Sequence, residues 1–237
     1  MKPLQAIKNN IPNAITCLNL VSGALAIIVS FKPFETTLFG LQGYQLAFVL
    51  IGLAAVADFC DGFAARLLHS VSALGKELDS LSDCVSFGLA PSIILYNVMS
   101  AAGCDQWVCL MSLMIPVFGA LRLARFNIDT NQATTFTGLP IPANAIFWIG
   151  FINYYATHHT ISQWIVLALI VALSLLMVCN LRMFSLKMHS ISPRENFRQY
   201  VLILASIAFV VLAGISGFAC VIAFYVLMSA LFKEKEA

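Results

Sequence analysis

The sequence predicts an all-α fold: a polytopic integral membrane helical bundle of about eight transmembrane helices, six in a core and two in a C-terminal hairpin. Three observations carry this. The chain of 237 residues is 60% hydrophobic and only 10% charged, with a mean hydropathy of +0.90. One soluble core cannot hide that much apolar surface. The apolar residues fall in runs long enough to cross a hydrocarbon layer about 30 Å thick at about 1.5 Å per residue. The bases also segregate. With eight spans and the N-terminus inside, the inner segments hold Lys2, Lys8, Arg66, Lys76, Arg122, Arg125, Arg182, Lys187, Arg194, Arg198, Lys233 and Lys235, and the outer segments only Lys32. That is a strong positive-inside bias, and a miscounted helix would scatter it across both faces.

Taken in order, the polar start ends at Pro12, a residue suited to open a helix. The first span runs from Asn13 to about Phe31, with Asn13, Thr16 and Asn19 near its start. A loop over 32–43 leads to a second span, Tyr44 to about Ala65. A short polar turn, Leu67–Leu74, precedes a third span from about Gly75 to Ser100. Asp105 marks the next loop. The fourth span, about Gln106–Leu121, ends in R-L-A-R-F-N. A polar connection, Asn127–Gly138, leads through L-P-I-P to a fifth span ending near Ala156. The sixth covers about Gln163–Leu181, and 182–198 is basic and polar. Gln199–Phe232 is too long for one span, and Gly214 and Gly217 near its middle predict a hairpin. The expected organisation is one domain over 1–237, with its core at about 11–198 and its hairpin at about 199–232. No cleavable signal peptide is evident, and the first apolar run reads as a retained helix. Seven cysteines occur without a C-x-x-C, so neither a zinc site nor a redox pair is indicated.

Four carboxylates break the apolar pattern. Asp58, Asp61, Asp79 and Asp83 sit in or beside the second and third spans. An ionisable group at membrane depth costs roughly 2.5–3.5 kcal/mol on insertion scales, so such residues mark function. Asp58 and Asp61 are three apart and Asp79 and Asp83 four apart, so each pair shares one helix face. Gly62 and Ala65 floor the same face, and Gly75 repeats the device before Asp79. Four bare carboxylates repel one another. An oxygen-only cluster without Cys or His suits a hard divalent cation such as Mg²⁺, Mn²⁺ or Ca²⁺.

The pattern D-x2-D-G-x2-A-R-x8-G-x3-D-x3-D closely resembles the signature of the CDP-alcohol phosphotransferases. Asp58, Asp61, Gly62, Ala65, Arg66, Gly75, Asp79 and Asp83 fill every fixed position. Three further stretches resemble the membrane-embedded phosphatidylserine synthases of bacteria and archaea: G-K-E-L-D-S-L-S-D-C-V-S-F-G-L-A-P, G-A-L-R-L-A-R-F-N and F-T-G-L-P-I-P. With I-P-N-A-I-T-C-L-N-L, the resemblance covers roughly residues 11–145. It implies transfer of a phosphatidyl group from CDP-diacylglycerol to the hydroxyl of L-serine, with release of CMP. It implies that Asp58, Asp61 and Asp79 hold Mg²⁺ or Mn²⁺, in a pair of ions, with Asp83 bridging or acting as the base. Asn13, Thr16, Gly62, Ala65, Arg66 and Gly75 are then expected around the CDP-lipid, and a homodimer in the cytoplasmic membrane is expected, with its site and termini on the cytoplasmic side.

A serine carboxylate suits Arg122 or Arg125 in bidentate fashion. Ser86, Phe87 and Asn127 are candidates for shaping the acceptor pocket. Helix capping remains the alternative for Asn13 and Thr16, and membrane anchoring for the two arginines. Glycerol phosphate or inositol phosphate stays open as an alternative acceptor. A prenyltransferase would place its two acidic motifs far apart in the chain. An ion or proton transporter would spread its acids through the bilayer depth. No nucleic-acid partner is expected. His158 and His159 fall on the outer side as surface residues, and Trp107, Trp148 and Trp164 read as interfacial belt residues.

Overall fold

The computed structural model describes residues 3–128, 136–158, 161–184 and 196–231. Lys2, Lys187, Arg194, Lys233, Lys235, His159 and most of the polar connection before Gly138 lie outside the described residues. The helices follow the expected order: α1 Pro3–Ser30, α2 Gly43–Leu67, α3 Ala73–Asp83, α4 Ala90–Ala101, α5 Gln106–Leu110, α6 Met114–Ile128, α7 Ile141–His158, α8 Gln163–Val178, α9 Phe197–Ala213 and α10 Gly217–Leu231. A π-helical turn, Cys84–Leu89, joins α3 to α4, and a 3₁₀ turn, Met111–Leu113, joins α5 to α6. The described chain is all-α apart from a two-residue antiparallel pair, β1 Phe136–Thr137 with β2 Arg182–Met183.

Five stretches are long and apolar enough to cross a membrane: Asn10–Ser30, Gly43–Leu67, Ala73–Ala101, Gln106–Ile128 and Phe197–Leu231. The protein is an integral membrane protein. The last stretch, 35 residues, breaks where the sequence predicts. Gly214 takes φ 58° and ψ −138°, a conformation that side chains with a Cβ avoid. α10 then packs back on α9, and a Cβ at Gly217 would collide with the Phe209 carbonyl.

Contacts divide the chain into two compact units, Met1–Ala120 and Leu121–Ala237. In the first, α1 packs along α2 and also meets α3, the π turn and α4. α1 begins at Pro3, so Pro12 lies inside the helix and does not open it. The Leu, Gln, Ala and Lys before it are good helix formers, and they extend the helix through the proline at the loss of one backbone bond. α1 and the π turn approach closely at Gly23, where a Cβ would collide with Ser86 Oγ. The π turn replaces what the sequence suggests is one uniform helix. Pro91 supplies a reason: it has no N–H and crowds the carbonyl four residues back. The Ala90 N–H reaches Val85 O, five residues back, in the wider π pattern.

In the second unit α7 is central. Its contact with α10 is close enough that a Cβ at Gly150 would collide with the Ala219 nitrogen, and Asn153 Nδ2 donates to Ser216 Oγ at 2.9 Å. Trp148 is fully buried, edge-on to Phe147 and Phe151, which corrects its reading as a belt residue. Tertiary packing covers an amphipathic ring that the sequence alone places at the interface. Trp107 and Trp164 are exposed, and His158 is exposed and stacked on Tyr154.

Candidate active site

The last turns of α2 carry Asp58 and Asp61, and α3 carries Asp79 and Asp83. The chain reverses between them in five residues. The Leu68 and Ser70 N–H groups bond back to Ala64 O and Ala65 O at 2.9 and 3.0 Å, and His69 takes φ 49°. Ser72 then caps α3, its Oγ accepting from the Gly75 N–H at 3.0 Å. This tight reversal sets the two acidic faces against each other.

One carboxylate oxygen from each of Asp58, Asp61 and Asp79 lies within 4.8 Å of the others. Oxygens on opposite sides of a hard cation, at about 2.0–2.6 Å from it, stand about 4–5 Å apart. Asp61 is 5% exposed and its Oδ2 is buried without a hydrogen-bond partner among the described residues. An all-oxygen donor set with one unmade buried acceptor fits a hard divalent ion and suits no soft one. Asp83 joins the cluster from one turn further along α3. It lies within hydrogen-bonding reach of Asp58, and its Oδ1 accepts from Asn19 Nδ2 at 3.5 Å.

The triad opens on a cavity of about 420 Å³ whose wall includes Asp61 and Asp79. All six residues expected around the CDP-lipid line it: Asn13 and Thr16 from α1, Gly62, Ala65 and Arg66 from α2, and Gly75 from α3. A Cβ at Gly62 would meet nothing within 4 Å, so the missing side chain is open cavity. A Cβ at Gly75 would come to 3.1 Å from Asn13 Oδ1. Thr16 is a back-bonded helical residue whose Oγ1 donates to Pro12 O at 3.0 Å. Arg66 Nε donates to Gly62 O at 3.0 Å, which fixes the guanidinium along the same wall.

The structure adds residues that the motif does not name. Ser70, Ser72 and Lys76 also line the cavity, and Asn19 touches Asp83. Asn19 was discoverable, because it follows Thr16 by three on the α1 stripe that faces the acids. Ser70 and Ser72 carry no sequence signal beyond turn composition.

The acceptor candidates divide. Arg122 and Arg125 line a separate cavity of about 320 Å³ in the second unit, together with Thr137 and Asn180. Arg125 Nη1 donates to Val178 O at 3.0 Å. Ser86 is fully buried in the first unit, where its hydroxyl donates to Asn19 O at 3.0 Å. Phe87 is buried beside it in the π turn. Neither Ser86 nor Asn127 lines either cavity.

A carboxylate centre suited to hard cations thus stands beside a cavity with Arg66 and Lys76 on its wall, in a bundle of apolar helices. Comparison with known proteins names the family. The CDP-alcohol phosphatidyltransferase pattern matches residues 9–176, and the chain belongs to that family. It is 31% identical over 228 residues to a CDP-diacylglycerol–serine O-phosphatidyltransferase of Mycobacterium leprae, covering 92% of this chain and 69% of that one. Against proteins of the same description, it is 38% identical over 148 residues in Methanocaldococcus jannaschii (61% and 63% covered) and 32% over 206 in Helicobacter pylori (84% and 80%).

Proposed function

We propose that this chain is a phosphatidylserine synthase, transferring the phosphatidyl group of CDP-diacylglycerol to the hydroxyl of L-serine and releasing CMP. The observation that carries the reading is that one cavity is lined by Asp61 and Asp79 of the acidic triad and by all six residues expected around the CDP-lipid. Relatives of this description at 31% and 38% identity support the choice of serine.

Asp58, Asp61 and Asp79 would hold Mg²⁺ or Mn²⁺, as a pair of ions, with Asp83 beside them as the base. When bound, the metal neutralises the negative charge of the diphosphate and of the exchanging phosphoryl oxygens. The chain's own residues do the rest. Gly62, Ala65 and Gly75 keep the wall low enough for the nucleotide to lie against backbone, and Arg66 offers donors to a phosphate. Asp83 accepts the proton of the serine hydroxyl. The serine oxygen bonds to the phosphatidyl phosphorus as the phosphorus–oxygen bond to CMP breaks, and CMP leaves with that electron pair. Arg122 and Arg125 remain the candidates for the serine carboxylate on their charge and fork geometry alone. The enzyme works as a homodimer in the cytoplasmic membrane, with its acids at the cytoplasmic side.

The test uses purified full-length protein, CDP-diacylglycerol, and Mn²⁺ or Mg²⁺, with serine, glycerol phosphate and inositol phosphate offered one at a time. CMP release with serine alone is expected. Release with a phosphorylated alcohol and not with serine reassigns the acceptor, and no release with any of them removes the reading.

A further inference from the structure

We infer that Cys104 and Cys109 form a disulfide at the outer end of the bundle, pinning the start of α5 to the end of α4. This rests on the proposed orientation, with the acids on the cytoplasmic side. The apolar stretch Ala73–Ala101 starts beside the acids, so the connection after it lies on the opposite face. That connection holds Asp105 and no Lys or Arg, as an outer segment should. No C-x-x-C occurs in the chain, and it is the fold that pairs these two residues. α4 ends in a Schellman motif. The Gly103 N–H bonds to Ser100 O and the Cys104 N–H to Met99 O, both at 3.1 Å, and Gly103 takes φ 80°. Asp105 then stands at the cap of α5, and its carbonyl accepts from the Val108 and Cys109 N–H groups at 3.0 and 3.1 Å. Cys104 is therefore the residue before the cap and Cys109 the fourth of the helix. Side chains at these two positions pack together across a helix start.

The sulfur contacts agree. Cys109 Sγ lies 3.9 Å from Cys104 O, and the two thiols are close enough to interact electrostatically. Both are thiols in the structure, Cys104 half-buried and Cys109 buried. Hydrogen bonds hold both backbones, so the χ1 torsions set the approach of sulfur to sulfur. Outside the cytoplasmic membrane such a pair meets oxidising conditions. The oxidant is a thiol–disulfide oxidoreductase in its disulfide form. Cys104, the more exposed, gives up its proton, and its thiolate attacks one sulfur of that disulfide while the other leaves as a thiolate. The Cys109 thiolate then attacks the Cys104 sulfur and displaces the oxidant. Two electrons pass to the oxidant, which takes up two protons and leaves as a dithiol.

The experiment uses cells that carry the full-length protein in a cytoplasmic membrane with an oxidising outer compartment. N-ethylmaleimide first blocks every thiol in the intact cells. The protein is then denatured and reduced, and newly revealed thiols are counted by the band shift of a polyethylene-glycol maleimide. Of the seven cysteines, two should be revealed in the parent and none in Cys104→Ser or Cys109→Ala. Reductant should also lower the Tm of the purified parent by roughly 5 °C and leave that of Cys104→Ser unchanged. No revealed thiol in the parent overturns the inference. Two that persist in Cys104→Ser overturn it by placing the bond elsewhere, and an equal Tm shift in both proteins overturns the pinning. Labelling of Phe39→Cys and His69→Cys by an impermeant maleimide tells these failures from a wrong orientation: only the latter exposes His69→Cys in intact cells.

Discussion

Asp61 and Asp83 belong to one cluster but meet it differently. Asp61 shares the close triad and presents a buried oxygen without a partner among the described residues, as a cation ligand should. Asp83 lies outside the triad and is held by Asn19. The two should therefore fail differently. Asp61→Asn removes charge from the ion, so metal affinity drops and excess Mn²⁺ recovers part of the activity. Asp83→Asn should leave metal and CDP-lipid binding near the parent level while kcat falls by about 10²–10⁴-fold. Metal titrations of both variants, read by binding and by turnover, decide this. Equal rescue of Asp83→Asn by metal would make it a ligand only. Gly62 poses a different question, because a Cβ there clashes with nothing. Alanine should stabilise α2 by about 0.5–1 kcal/mol and raise Tm. It should also raise the KM for CDP-diacylglycerol, since the methyl occupies the cavity floor. A Gly62→Ala variant with an unchanged KM would mean that the substrate does not lie on that wall. These residues were legible beforehand because charge and glycine are conspicuous in apolar helices. Ser70 was not, because a serine in a turn looks the same whether or not its hydroxyl has a partner.

At the scale of elements, the acids depend on the fit between α1 and the π turn. Ser82 Oγ donates to Thr16 O at 3.3 Å and Ser86 Oγ to Asn19 O at 3.0 Å, so two buried serines tie the third span to α1. Between them stands Asp83, and across from Ser86 stands Gly23. A Cβ at Gly23 would also lie 2.7 Å from Ser86 Cα, which is backbone and cannot swing away. Gly23→Ala should therefore push the π turn off α1, at a cost of about 1–3 kcal/mol for overpacking. Tm and turnover should fall together, the latter because Asn19 loses its reach to Asp83. Gly52→Ala on α2, where a Cβ meets nothing within 4 Å, is the matched control and should keep its activity. Equal behaviour of the two variants would show that this helix contact does not govern the site. The hairpin at Gly214 was readable from length and glycine alone. The π turn was not, although Pro91 was in plain view. A proline inside an apolar run announces a lost bond, but not whether the helix kinks, breaks or widens. The same blindness to neighbours put Trp148 at the interface when α7 buries it.

For the molecule as a whole, the positive-inside count makes a claim about orientation that helix geometry cannot make. The family match spans residues 9–176 and so ends before α9. The charge pattern runs through both regions, and its first test falls within the first unit. The loop between α1 and α2 carries Lys32, which is paired with Glu35 at 2.8 Å, so its net basic charge is small. The turn between α2 and α3 lies between Arg66 and Lys76. Insertion holds such bases on the cytoplasmic side, so the two connections should face opposite sides of the membrane. Phe39 is 90% exposed in the first connection, and His69 is exposed in the second. Phe39→Cys and His69→Cys each offer an accessible thiol at a known end of α2. A membrane-impermeant maleimide should label Phe39→Cys in intact cells above the level of the seven native cysteines. It should label His69→Cys only after the membrane is opened. The reverse pattern would put the carboxylate site on the outer face, away from any cytoplasmic supply of a CDP-lipid, and would overturn the assigned orientation together with the substrate reading that depends on it.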